Sequence, residues 1–276
     1  MASFHVRSNS LPSNPSPLVA QVNEHLTRLR SSESASTSSS SICQKLNDVQ
    51  DLQNCINKML QQSSHQQALS QEQNRKTVLE LLDGSLRFLD VCNVAKDALS
   101  NTKESLRDVQ SAVRRKSDGF FTEVKKYLAS RRSLKKSFQN VSRSLKTTDI
   151  KQNEDETLTI LMEAEVVTAD VLAWFLSFIS GSKAQSKSSS KWSLVSKLVR
   201  QKRVACEEEE ESSTRNEFSK VDSVLLSLTQ TKSEKGMKME GLQSLEMIIE
   251  DVEQGLECLF RSLIKLRVSV LNILGN

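Results

Sequence analysis

Apolar residues return every three or four positions along most of the chain, and the pattern is strongest near its end. Leu242, Leu245, Ile249, Val252, Leu256, Leu259, Leu263, Leu266, Val270 and Ile273 follow such steps without a break. This spacing predicts a helix with one buried seam, about 48 Å long, whose partner must be another helix.

The same period recurs upstream. Ile42, Leu46, Val49, Leu52, Ile56 and Leu60 predict a helix over 42–60. A Gln/Ser turn region follows it. A long helix from Arg75 to Lys116 is expected to bury Leu82, Leu86, Leu89, Cys92, Ala95, Leu99, Leu106, Val109 and Val113, with a break at Asp118-Gly119. The next helix, from Phe120 to about Lys146, would bury Phe121, Val124, Leu128, Leu134, Phe138, Val141 and Leu145. After the polar stretch from Asp149 to Glu156 comes an apolar helix over 157–180, with Trp174, Phe175, Leu176, Phe178 and Ile179 at the bundle centre. A further helix is expected around Phe218 to Leu228.

Between these stretches the sequence turns polar. Residues 1–13 are Ser-rich and expected to be disordered, and Asn14-Pro15-Ser16-Pro17 reads as the start of a short helix, Leu18 to Leu29. Eight of the eleven residues from Ser31 to Ser41 are Ser, a linker composition. The predicted organisation is a Ser-rich tail with one short helix over 1–41, then one helical-bundle domain over 42–276 interrupted by a Ser/Lys and acidic linker at 181–215. The fold class is all-α: an elongated up-and-down antiparallel bundle of about six or seven helices.

Composition agrees with that class. The 276 residues include seven Gly and three Pro, and all three Pro precede position 18, so helix breakers are nearly absent afterwards. Aromatics make up 4%, low for a β-rich protein. Residues 1–150 hold 22 basic and 14 acidic side chains and residues 151–276 hold 16 and 20, which is not the one-sided charge of a dedicated nucleic-acid binder. The five Cys are an odd number, far apart and without a CxxC pair, which fits thiols in a reducing compartment. No secretory leader is expected. The most apolar stretch, Val166 to Ile179, is shorter than the roughly 20 residues of a bilayer span.

Candidate chemistry is sparse. Neither HExxH nor GxSxG occurs, there is no phosphate-binding Gly loop, and no cluster has metal-ligand spacing, so no enzyme activity, cofactor or metal is expected. Glu163, Glu165 and Asp170 could form an acidic constellation, but Glu163 is expected to face solvent and the others to pair with the basic helix beside them. Cys55, Cys92, Cys258, Met237, Met239 and Met247 are expected as packing residues.

Three segments could recognise partners. Arg7, Ser8, Ser10 and Pro12 read R-S-x-S-x-P; phosphorylated at Ser10, this would suit a 14-3-3 adaptor, and otherwise it is a chance match in a polar tail. Between Arg114 and Lys146 stand eleven basic and two acidic residues, centred on Arg131, Arg132, Lys135 and Lys136. They form either a contact for anionic lipid or nucleic acid or a solvated face, and the absence of interleaved aromatics argues against single-stranded nucleic acid. In 191–203, Trp192, Lys197, Arg200, Lys202 and Arg203 mark a basic amphipathic helix, for a membrane surface or calmodulin, or else for capping the bundle.

Four blocks carry a resemblance. Phe4 to Ser13 (FHVRSNSLPS), Leu82 to Cys92 (LDGSLRFLDVC) followed by Ala95 to Leu99, Tyr127 to Arg132 (YLASRR), and Leu256 to Arg261 with Val268 to Leu274 resemble, in this order, the blocks of the plant BYPASS-related family. The resemblance implies a helical protein without known enzymatic activity and, by association, a role in root and shoot development; the leading expectation for this chain is a non-enzymatic protein that binds protein partners through its bundle surface or tail. The resemblance carries over no catalytic or ligand residue.

Overall fold

A computed structural model describes residues 16–31, 38–116, 119–145, 155–182, 216–231 and 239–275. Among them it contains α1 (Pro17–Ser31), α2 (Ser39–Met59), α3 (Ser63–Ser70), α4 (Arg75–Arg115), α5 (Phe120–Ser144), α6 (Glu156–Ile179), α7 (Glu217–Thr231) and α8 (Met239–Gly275), with a 3-10 turn at Glu72–Asn74 and no strand. The fold is all-α.

Local chemistry sets the helix ends. Ser38 caps α2, its hydroxyl accepting from the Ser41 amide at 3.4 Å. Asp155 caps α6 by accepting from the amides of Thr157 and Leu158 at 2.8 and 3.3 Å. At the other end of α6, Asn216 donates to the Phe178 carbonyl at 2.8 Å and accepts from the Ser219 amide at 2.9 Å, so one side chain closes α6 and opens α7. Helix α4 ends on Lys116, in the left-handed conformation with φ 48°.

Consecutive long helices alternate in direction. Arg28 pairs with Asp48 at 2.9 Å while the Cys55 thiol reaches the Leu18 carbonyl, so α1 and α2 are antiparallel. Gln53 donates to Thr168 at 2.9 Å and the Lys45 ammonium lies 3.9 Å over the Trp174 ring, which makes α2 and α6 antiparallel. Arg267 meets Leu82 and Glu257 meets Lys96, so α4 and α8 are antiparallel as well. Because directions alternate, α2 and α8 run parallel, with Ser262 donating to Asn54 and Ser269 to Asn57. One apolar core threads all the helices except the surface of the short ones. Leu52 and Ile56 of α2, Leu172 and Phe175 of α6, and Val252 and Leu259 of α8 are fully buried in it. Helix α1 also joins this core through Val19, Val22, Leu26 and Leu29.

Several expectations shift by a residue or a turn. The region after α2 holds α3, where His65 bonds Thr157 at 2.9 Å and Leu69 is buried. Leu86 was expected in the α4 stripe but is 46% exposed, because Ser85 takes the inward-facing position and accepts a hydrogen bond from Arg267. Met247 is 66% exposed rather than packed. Trp174 is only half-buried, under the Lys45 ammonium. Arg131, expected at the centre of a basic surface, is 4% exposed and points inward.

Candidate functional site at the open end of the α4 and α8 seam

The seam between α4 and α8 has two ends of opposite character. Toward the C-terminus of α4 it is closed by charge. Lys96 pairs with Glu257 at 2.9 Å, Lys103 with Glu253, and Arg107 with Glu246 and with Glu250, while Gln110 donates to Glu246 at 3.0 Å. The hydrogen bond from Lys96 holds the Glu257 carboxyl below its ordinary pKa. Burial opposes ionisation of Glu246, but the hydrogen bonds from Arg107 and Gln110 outweigh it and its pKa is also lowered.

Toward the N-terminus of α4 the ion pairs stop and apolar side chains take their place on the outside. Leu79 and Leu86 of α4 and Ile264, Val268 and Leu271 of α8 are each between 39% and 49% exposed. They flank the point where Arg267 donates to the Leu82 carbonyl and, at 2.8 Å, to the Ser85 hydroxyl. Beneath lies a cavity of about 60 Å³ whose apolar walls include Val78, Leu82, Phe88, Leu161, Leu263 and Val270. That volume suits about two waters or the tip of one branched aliphatic side chain.

Few polar groups reach the cavity, and most are satisfied. Gln53 is held by Thr168. Glu165 lies 3.4 Å from Arg87, yet burial outweighs this pair and raises the Glu165 carboxyl pKa. Arg267, half-buried, has no carboxylate partner among the described residues. The open end thus combines a ridge of exposed aliphatic residues, a shallow apolar hole and one uncompensated cation.

The acidic constellation divides between two helices. Glu163, expected to face solvent, pairs with Arg30 of α1 at 3.2 Å, and Glu165, expected to pair with the basic helix, turns to Arg87 of α4 instead. Within that helix, Arg131 donates to both carboxylate oxygens of Asp222 at 3.2 Å and to the Ile179 carbonyl at 2.7 Å, whereas Arg132, Lys135 and Lys136 face solvent. Burial pushes the Cys92 thiol up to about 12, which makes it a packing group rather than a nucleophile. Arg7, Ser8, Ser10 and Pro12, and Trp192, Lys197, Arg200, Lys202 and Arg203, lie outside the described residues. Among the described residues no group of His, Cys, Asp or Glu is placed to hold a metal, and no helix is long and apolar enough to cross a membrane. Sequence reasoning passed over Arg267 and Leu79. The available signal was the pair of blocks Leu82 to Cys92 and Val268 to Leu274, which α4 and α8 bring to the same end of one seam.

The fold defines an all-α helical bundle, with exposed aliphatic residues at this end of the seam. The family model described as Protein BPS1 matches residues 45–273, and the chain belongs to that family. No curated protein matches the chain, and no solved structure matches it.

Proposed function

We propose that this chain is a non-enzymatic interaction protein acting in the regulation of plant development, in root and shoot, and that it works in the cytoplasm. Membership of the BPS1 family supports the developmental role. The four described cysteines are all thiols, which suits a reducing compartment. The observation that carries the interaction reading is the row of exposed Leu79, Leu86, Ile264, Val268 and Leu271 over an apolar hole at the open end of the seam. Two antiparallel helices form a groove there, and a groove of this kind takes the apolar face of a partner helix. Arg267, without a carboxylate of its own, favours a partner helix that brings an acidic side chain beside its apolar anchor.

A photo-crosslinking residue at position 268 of the intact chain, expressed in plant cells, tests this. The captured segment should carry apolar residues at helical spacing with a carboxylate among them. Leu86→Lys with Leu271→Lys should abolish capture and leave the melting temperature unchanged. Capture that persists in this variant, or captured segments without helical apolar spacing, would refute the reading.

A further inference from the structure

Helix α5 separates its basic residues by direction. Arg131 is turned inward, where Asp222 and the Ile179 carbonyl hold it. Lys125, Arg132, Lys136 and Arg143 all face solvent. Their spacing of seven, four and seven residues places them within about 40° of one line on the helix and along about 27 Å of its length. No carboxylate among the described residues pairs with any of the four, and Arg143 bonds only Asn140, at 3.1 Å. The neighbouring acids, Glu123 and Asp108, sit around Lys126, about 100° away from Lys125 on the helix. Exposed Ala129 and Gln139 lie along the line, and Ser133 and the exposed Lys135 lie about 80° to either side of it.

We propose that this line of α5 is a contact for an anionic lipid bilayer. A narrow straight row of cations meets a flat surface with all its members at once. A protein interface of this size needs buried aromatic or aliphatic anchors, and the row has none. Attraction to mobile anionic headgroups asks only for charge near the surface. The surface is separate from the seam of α4 and α8, so this inference stands independently of the proposed partner groove.

The test is co-sedimentation of the full chain with phosphatidylcholine vesicles, with and without phosphatidylserine, at low and high salt. Binding should require phosphatidylserine and weaken with salt. Each cation near such a surface contributes about fivefold, so changing Lys125, Arg132, Lys136 and Arg143 together to Gln should cut partitioning by roughly 600-fold. The same change at Lys197, Arg200, Lys202 and Arg203 should leave most of the binding in place. As a check on folding, two double variants, Lys125→Gln with Arg132→Gln and Lys136→Gln with Arg143→Gln, should each lose roughly tenfold or more at unchanged melting temperature. The proposal is overturned if the α5 variants bind as the parent does, or if pure phosphatidylcholine binds equally well. It also falls if the chain ignores vesicles and binds polyglutamate or duplex DNA through these residues instead.

Discussion

Gly84 of α4 and Glu165 of α6 approach so closely that a Cβ on Gly84 would overlap the carboxylate oxygen that faces Arg87. The glycine lies in the interior of a 41-residue helix, where Ala is normally better by about 1 kcal/mol. Gly84→Ala should therefore gain little in the parent chain, because Glu165 must leave Arg87 and find another position in a largely buried site. In a Glu165→Ala background the same substitution should recover its full gain of about 1 kcal/mol. Urea unfolding of the four chains of this cycle measures the coupling, and equal gains in both backgrounds would show that the two residues do not interact.

Protonation should act on this bundle in two opposite senses. Burial raises the Glu165 pKa, so the folded state holds its proton more tightly than the unfolded chain does. Stability then falls as pH rises from the ordinary carboxylate value through the folded one. Glu246 and Glu257 have lowered values, so their contribution is present above the ordinary carboxylate pKa and is lost as pH falls through the folded one. Glu165→Gln should flatten the melting-temperature profile above pH 4.5, and Glu246→Gln should flatten it below. Identical profiles for the two variants would contradict this assignment.

The C-terminal seam offers a calibrated pair. Leu256 is 2% exposed inside the core, while Met247, on the same helix, is 66% exposed. Leu256→Ala should cost about 2–5 kcal/mol, and Met247→Ala should stay within about 0.5 kcal/mol. Chemical unfolding distinguishes them, and similar values would mean that α8 is rotated from the orientation described.

This pair also shows how far the sequence could be read. Over more than thirty residues of α8, a strict alternation of three and four leaves one possible buried line, and that line is the one observed. Where the period is interrupted, a choice of one residue decides the face. Leu86 falls at helical spacing from Leu82 and Leu89, yet Ser85 is the residue that Arg267 engages from α8, and nothing local to α4 announces that. Helix α3 escaped notice because His65, Ala68 and Leu69 are its only buried residues in a run of Gln and Ser. The groove was illegible for the same reason. It exists only where two helices far apart in sequence exchange ion pairs for exposed aliphatics.

Arg131 is the sharpest instance, because neighbouring residues of identical type behave in opposite ways. Arg131 is 4% exposed, bonds Asp222 and the Ile179 carbonyl, and stacks its guanidinium 5.0 Å over the Phe218 ring. Tyr127 donates to the same Asp222 at 2.9 Å, so one carboxylate of α7 ties down two residues of α5. Removing one member of a buried pair costs about 3–5 kcal/mol, but Asp222 keeps 25% of its side chain in solvent and water can solvate it. Arg131→Leu should therefore cost about 2–3 kcal/mol, below the full value. Arg131→Lys retains the charge but not the fork that reaches both Asp222 and Ile179, and it should fall between. Removing both partners, as Arg131→Leu with Asp222→Leu, should restore part of the loss because no charge is then left buried alone. Arg132→Gln, one residue away on the solvent side, should change stability by less than about 0.5 kcal/mol. If urea unfolding gave Arg131→Leu and Arg132→Gln the same small effect, α5 would not be tied to α6 and α7 through this guanidinium.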